Sequence, residues 1–271
     1  MCSALRIAPL RNKLKDFFAM EDEYEEIDDG RVQYPLPQEI DPMGLFHSLR
    51  KLKILNADVF MRMQAFNLTT VDTFLTELEC SNLRELHTLA RTPPDTHFLG
   101  AQSQMWIFAA YELLRTWQER CKKIVKWSET GGLQQKLEAL KQKHDGSTHY
   151  GLENHIQQLE SVIADPSIID HIRGELLHMH IPFTRLEFIR VAIAKHEVSG
   201  KAKAIAFFPG YGRINMHCGS LDYQLDNGPI ILGMINRRDI ADSIRAIDLD
   251  SPPPSPDDLA SFDKFMSGKF T

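Results

Sequence analysis

The stretch Phe98–Trp127, FLGAQSQMWIFAAYELLRTWQERCKKIVKW, decides the fold. Its apolar positions at three- and four-residue steps are Trp106, Ala110, Leu113, Trp117, Cys121 and Ile124. This spacing places them on one face of an α-helix, and Ile107, Tyr111 and Leu114 widen that face. A face this broad predicts a central bundle helix that is buried on more than one side. A packed core explains the two tryptophans better than an aromatic cofactor site does.

The chain has 271 residues, of which 43% are hydrophobic and 25% are charged, so it has room for one large or two small globular domains. Its 37 acidic and 31 basic side chains give a net charge of -6. No global positive field therefore draws the molecule to nucleic acid or anionic lipid, although a local basic patch remains compatible with this balance.

Cysteine usage and hydropathy indicate a protein of the cytoplasm. The four cysteines are far apart and form no C-x-x-C pair, which favours reduced thiols over a disulfide framework. No run of about 18 apolar residues is present, and the N-terminus lacks the apolar stretch of a signal peptide. We expect a cytoplasmic location and no membrane contact.

The predicted fold class is mainly α: a helical bundle with a small C-terminal antiparallel β-sheet and a closing helix. We divide the chain into an acidic, proline-containing arm (1–43), the bundle (44–200), a small sheet plus helix (201–250), and a proline-rich linker and tail (251–271). The acidic run Glu21–Asp29 is typical of solvated surface. A tether that docks on a basic groove is the alternative.

Local signals place the elements. Thr70 or Asp72 is predicted to cap a helix that continues toward Leu89. The double proline in Thr92-Pro-Pro-Asp95 then marks a boundary. The runs expected to supply three or four strands are 204–208, 214–217, 221–225 and 229–235. A closing helix is predicted from Arg238.

Histidines are frequent but do not form a recognisable metal site. His171, His178 and His180 lie close together in sequence, as do His144, His149 and His155. Neither group has H-E-x-x-H spacing or a neighbouring cysteine pair. We therefore predict no metal and no cofactor, and we interpret these histidines as surface or half-buried side chains.

The segment Arg190-Val-Ala-Ile-Ala-Lys-His196, in a predicted helix, separates an arginine and a histidine by five residues. With the long helix before it, this segment resembles the HEPN family, all-helical proteins whose ribonuclease members place such an Arg and His near a dimer cleft. The resemblance covers about Phe98–Val198. It implies an RNA substrate, a homodimer and a role in stress or anti-phage defence.

The resemblance also implies roles for the two side chains. Arg190 would bind the scissile phosphate through its planar donor groups, and His196 would act as general acid or base without a metal. On an ideal helix the two lie about 120° apart, so convergence would need a helix break or a second subunit. The alternative is structural: Arg190 pairs with Glu187, and His196 sits favourably at a helix C-terminus.

A second candidate region follows the bundle. Pro209-Gly-Tyr-Gly-Arg213 lacks the spacing of a phosphate-binding loop, which favours a tight turn. Tyr211 and Arg213, with Arg237 and Arg238, could nevertheless form a basic and aromatic surface for RNA or a partner protein. For Arg237 and Arg238 the alternative is a solvated turn. For the whole chain the alternative function is a non-enzymatic docking protein.

Overall fold

The computed structural model describes residues 34–144, 149–198, 204–227 and 230–268. Over these residues the protein is mainly helical, with a three-stranded antiparallel sheet, which confirms the predicted fold class. Residues Pro35–Thr271 form one compact unit. The acidic run at 21–29 lies outside the described residues. No helix within those ranges combines the length and apolar character that crossing a bilayer requires.

The helices within the described ranges are α1 (Gly44–Lys51), α2 (Lys53–Ala57), α3 (Val59–Leu89), α4 (Thr96–Glu129), α5 (Leu133–Lys143), α6 (Tyr150–Ala164), α7 (Ser167–His178), α8 (His180–Lys195), α9 (Arg237–Arg245) and α10 (Pro256–Met266). The strands are β1 (Arg213–Ile214), β2 (Leu221–Asp226) and β3 (Ile231–Ile235).

Helix α4 is the central helix that the sequence predicts. It packs against α3, α7 and α8, and the whole predicted apolar stripe is buried. Trp106 and Trp117 are 2% and 0% exposed, and the Trp106 Nε1–H donates to the Leu68 carbonyl oxygen at 3.1 Å. Burial also raises the pKa of the Cys121 thiol, which keeps it protonated in the core.

Helix α3 begins eleven residues before the predicted cap at Thr70. Asp58 is the actual N-cap, and its carboxylate accepts the backbone N–H groups of Phe60 and Met61 at 2.9 and 3.0 Å. Thr70 and Asp72 lie inside the helix, so the predicted cap is wrong. Aspartate is normally unfavourable in the middle of a helix, because its side chain competes for backbone hydrogen bonds. At Asp72 this cost is offset by an ion pair with Arg237 of α9.

The sheet has the order β1-β2-β3, and both strand pairs are antiparallel. The first predicted strand is wrong, because the described part of 204–208 makes only an isolated bridge between Ile205 and Glu197. The second predicted strand, 214–217, is observed only as the two-residue strand β1, Arg213–Ile214. After Ile214, the Asn215 side chain accepts the His217 and Cys218 N–H groups and turns the chain.

The C-terminal tail contains a helix that we did not predict. Ser255 and Asp258 form a reciprocal capping box at the start of α10, and Pro256 occupies the first turn. Both are recognisable N-terminal helix signals. We missed them because the preceding proline run suggested an extended linker.

A buried ionic network joins the C-terminal part to the bundle. Arg237, fully buried, pairs with Asp72 and donates from Nη2 to Glu79 Oε2 at 2.6 Å, and both carboxylates belong to α3. The Ser220 hydroxyl donates to Glu79 Oε1 at 2.8 Å. Beside it, Gly219 has φ of 77° and lies directly against the α3 backbone, where a Cβ would collide. The network therefore holds α9 and the β1–β2 turn on α3.

Replacing Arg237 by Met should destabilise the fold by about 3 kcal/mol, because it leaves Asp72 and Glu79 buried without their main cation. Urea unfolding followed by circular dichroism measures the change. Arg213→Met, at an exposed arginine, is the control and should change the stability little. A loss below about 1 kcal/mol for Arg237→Met would contradict the role of this network.

One buried carboxyl group lies far from this network. Glu175 on α7 is 3% exposed, and its Oε1 accepts the Lys53 backbone N–H at 2.9 Å. Burial raises the pKa of Glu175 to about 7, although the hydrogen bond from Lys53 opposes the shift. The ionised form therefore destabilises the folded state near neutral pH.

Glu175→Gln should consequently stabilise the protein more at pH 8 than at pH 5. The folded pKa of about 7 lies above the ordinary 4.5, so ionisation costs stability as pH rises between these values. The difference in unfolding free energy between variant and wild type should grow by roughly 3 kcal/mol across that window. Urea unfolding at both pH values measures it, and exposed Glu138→Gln controls for net charge. An equal difference at both pH values would contradict the buried, neutral carboxyl group.

Candidate functional site

Arg190 occupies a defined position on the inner side of α8. Its guanidinium lies 4.8 Å from the centre of the Tyr111 ring and 3.7 Å from Glu112 Oε1. The Tyr111 hydroxyl donates to Glu187 Oε1 at 3.4 Å. Burial, followed by the Glu187 charge, raises the pKa of Tyr111. Arg190 therefore pairs with α4, and the structural alternative of an Arg190–Glu187 ion pair is wrong in detail.

His196 caps the C-terminus of α8 in the left-handed conformation, with φ of 58°. Its N–H donates to the Ala192 carbonyl oxygen, and its own carbonyl oxygen accepts the Ala206 N–H at 3.0 Å. The side chain is exposed.

The structure does not bring Arg190 and His196 together within one chain. Helix α8 continues unbroken through both Arg190 and Lys195, and no hydrogen bond joins the two side chains among the described residues. One side chain faces α4 and the other faces solvent at the helix end. A shared site for them would therefore require a second copy of the chain.

A cleft with a partly polar lining lies at Tyr211 and Arg213. It has a volume of about 820 Å³ and lies between the start of α4, the segment 210–214 and β2. From α4 it is lined by His97 and Gln104, and from β2 by Tyr223. Burial raises the pKa of Tyr223 to about 12, and Gln104 opposes the shift. The Tyr223 hydroxyl therefore remains a neutral donor.

Tyr211 and Arg213 form a pair at the rim of this cleft. The Tyr211 side chain is 62% exposed, and the Arg213 guanidinium lies 5.9 Å from its ring centre. No acidic side chain in the described ranges forms an ion pair with Arg213. Between them, Gly212 runs so close to Leu221 that a Cβ would lie 2.9 Å from the leucine Cβ. The pair thus offers a stacking surface with an uncompensated cation beside it.

Arg237 and Arg238 do not belong to this surface. They are 0% and 2% exposed, and Arg238 donates to the Pro35 carbonyl oxygen at 2.8 Å and lies 3.5 Å from Asp242. The prediction that these side chains contact RNA on the surface is therefore wrong, and so is the alternative that they lie in a solvated turn. The partners of Arg237 on α3 are more than 150 residues away in sequence, so no local pattern could identify them.

Sequence reasoning missed His97, Gln104 and Tyr223, which complete the cleft. They lie on α4 and β2 and carry no shared local signal. The histidines considered for metal binding do not assemble either, since the described residues contain no group of three or more His, Cys, Asp or Glu side chains able to hold an ion. His180 instead lies 2.7 Å from Asp263 on α10.

An apolar face occupies the outer side of the α3–α4 hairpin. Its exposed large side chains are Phe60, Met63, Val71 and Phe74 on α3 and Met105 on α4, and of these Val71 and Met105 line the groove described next. Phe66 is also exposed, but it packs edge-on against Phe46 of α1. A groove of about 420 Å³ runs between the two helices here, and every residue that lines it is uncharged. Exposed apolar clusters of this kind are typical of protein-binding surfaces.

Comparisons with known proteins do not assign a family. No protein-family model, no curated protein and no solved structure matches the chain. Function must therefore be argued from the cleft at Tyr211 and Arg213, the apolar face and the positions of Arg190 and His196.

Proposed function

We propose that this protein binds single-stranded RNA in the cleft at Tyr211 and Arg213. The observation that carries the proposal is the exposed Tyr211 ring with an unpaired guanidinium beside it, at the mouth of an 820 Å³ cleft. Bases stack on aromatic rings without needing a particular sequence, and a free arginine contacts the phosphate backbone. His97 and Gln104, which are exposed and half-buried respectively, supply donors and acceptors for base edges inside the cleft.

Tyr211→Ala and Arg213→Ala should each weaken binding of a labelled mixed-sequence 12-nucleotide RNA by about tenfold, because each removes a stacking or phosphate contact. Fluorescence anisotropy at fixed salt measures the affinity. Tyr150→Ala removes a tyrosine that is 65% exposed outside the cleft. Arg185→Ala removes an arginine stacked 5.9 Å from Phe262.

These two controls should retain wild-type affinity. Equal losses in the controls and in the cleft variants would show that the RNA is held by general surface charge and would overturn the proposal. Failure of the wild-type protein to bind the RNA would overturn it as well.

We extend the proposal to HEPN-like, metal-independent cleavage of RNA, with Arg190 at the phosphate and His196 as general acid or base. An exposed imidazole can exchange protons near neutral pH, and a guanidinium can neutralise a phosphate. Because α8 is unbroken between them, the site would be completed across two copies. The role in stress or anti-phage defence belongs to the same proposal.

His196→Ala should abolish cleavage of a mixed-sequence RNA in the presence of EDTA, because no other group replaces its proton transfer. Gel analysis of RNA products measures this. His217→Ala, at another exposed histidine, should cleave as the wild type does. Cleavage that persists in His196→Ala would contradict the catalytic assignment while leaving RNA binding open to its own test.

The second candidate function is a non-enzymatic docking protein, and the apolar face of α3 and α4 favours it. We infer that its occupant is a second copy of this chain. A two-fold interface brings the residues close to its axis against their own copies, so a charge there would meet a like charge. The uncharged groove avoids this repulsion.

Met105→Lys should shift the protein from dimer to monomer, because it places a charge from each copy in the apolar interface. Met105 is 64% exposed, so the fold should tolerate the change. Sedimentation velocity measures the oligomeric state, and Met216→Lys, at an exposed methionine outside the groove, is the control. A monomeric wild type would contradict the dimer.

A further inference from the structure

The strongest basic segment of this acidic protein lies where no functional residue was predicted. Residues 120–143 contain seven Lys and Arg but only two Glu, although the whole chain has a net charge of -6. The basic residues are Arg120, Lys122, Lys123, Lys126, Lys136, Lys141 and Lys143. The segment forms the last ten residues of α4 and all of α5. Helix packing therefore concentrates positive charge on one part of the bundle.

A groove of about 420 Å³ opens in this region between α4, α5 and α6. Its apolar lining consists of Ile124, Trp127, Leu140 and Leu159. Its cationic lining consists of Arg120, Lys123 and Lys136. Four of the eleven lining residues are thus apolar and seven are polar or charged, and the volume lies within the usual range for a small-molecule site.

The three cations differ in their availability. Arg120 is held by Asp58 and also donates to Gln158 Oε1 at 3.3 Å, so it is fixed as part of the wall. The Lys123 side chain is 63% exposed and lies 4.0 Å from Glu119, a distance at which the ion pair is weak. Lys136 has no ion pair among the described residues, and its ammonium lies 5.3 Å from the Trp127 ring centre. Lys123 and Lys136 are therefore free to hold an anion.

Two further polar side chains of the groove, His155 and Glu119, can form hydrogen bonds with a heteroaromatic ring and a sugar. Burial, followed by the Arg120 charge, lowers the pKa of His155, so its imidazole is neutral at pH 7 and can both donate and accept. Glu119 is the single acidic residue that lines this groove, and Arg115 orients it at 2.9 Å. A carboxylate accepts hydrogen bonds from hydroxyl groups, such as those of a ribose.

We propose that this groove binds a nucleoside monophosphate: a heteroaromatic ring against the apolar lining, with its phosphate between Lys123 and Lys136. The inference does not rest on the proposed RNA-binding function, because no residue of this groove lines the cleft at Tyr211 and Arg213. The ligand's phosphate would draw the Lys136 ammonium away from the ring of Trp127. Trp127 is half-buried, so this change in its surroundings should alter its fluorescence.

The test uses the full-length protein with AMP and UMP as probes, followed by calorimetry and tryptophan fluorescence. Adenosine lacks the phosphate and inorganic phosphate lacks the ring, so both should bind at least tenfold more weakly than AMP. Lys123→Gln and Lys136→Gln should each weaken AMP binding by about tenfold, since each removes a charged hydrogen bond. Lys126→Gln, at an exposed lysine of the same helix that does not line the groove, should leave AMP binding unchanged.

Trp127→Phe should abolish the fluorescence change while calorimetry still detects AMP, because Trp106 and Trp117 are buried away from the groove. Several results would overturn the proposal: no binding of AMP or UMP at millimolar concentration, equal effects in the Lys126 control, or phosphate binding as tight as AMP. Binding of RNA but not of mononucleotides through Lys123 and Lys136 would also overturn it and would assign the groove to RNA.

Discussion

The buried pairing of Arg237 with Asp72 and Glu79 is the interaction on which the rest of the structure depends. It joins the first turn of α9 to the middle of α3 across the interior. The three charged side chains are buried, so each would be an unpaired charge in the core if its partners were removed. The pairing also positions β2 and β3, which precede α9, and therefore one wall of the cleft at Tyr211.

This constraint separates the rigid interior from the surfaces that carry function. Arg237 and Arg238 look like RNA-binding residues in sequence, but they hold the sheet region to the bundle. Arg213 has the same side chain but forms no ion pair with an acidic residue of the described ranges, and it lies beside Tyr211 at a cleft. Burial and pairing, rather than residue type, therefore distinguish structural from candidate binding arginines.

The two functional proposals use different features of the same bundle. The cleft at Tyr211 and Arg213 favours a polar, stacking ligand, whereas the outer face of α3 and α4 is apolar and uncharged. The linings of the cleft and of the groove share no residue, so the two proposals do not compete for the same side chains. The proposed cleavage by Arg190 and His196 would in turn need a second copy, since α8 keeps the two side chains apart.

Periodicity alone determined the central helix α4, its buried stripe and the mainly helical class, because side-chain spacing of three and four residues is a local property. The capping box at Ser255 was equally readable. The position of Asp72 inside α3, the burial of Arg237 and the assembly of His97, Gln104 and Tyr223 into one cleft were decided only by tertiary structure. Each of these depends on side chains that are distant in sequence, and the free energy of burying a charge or lining a cavity is set by neighbours that only the folded chain supplies.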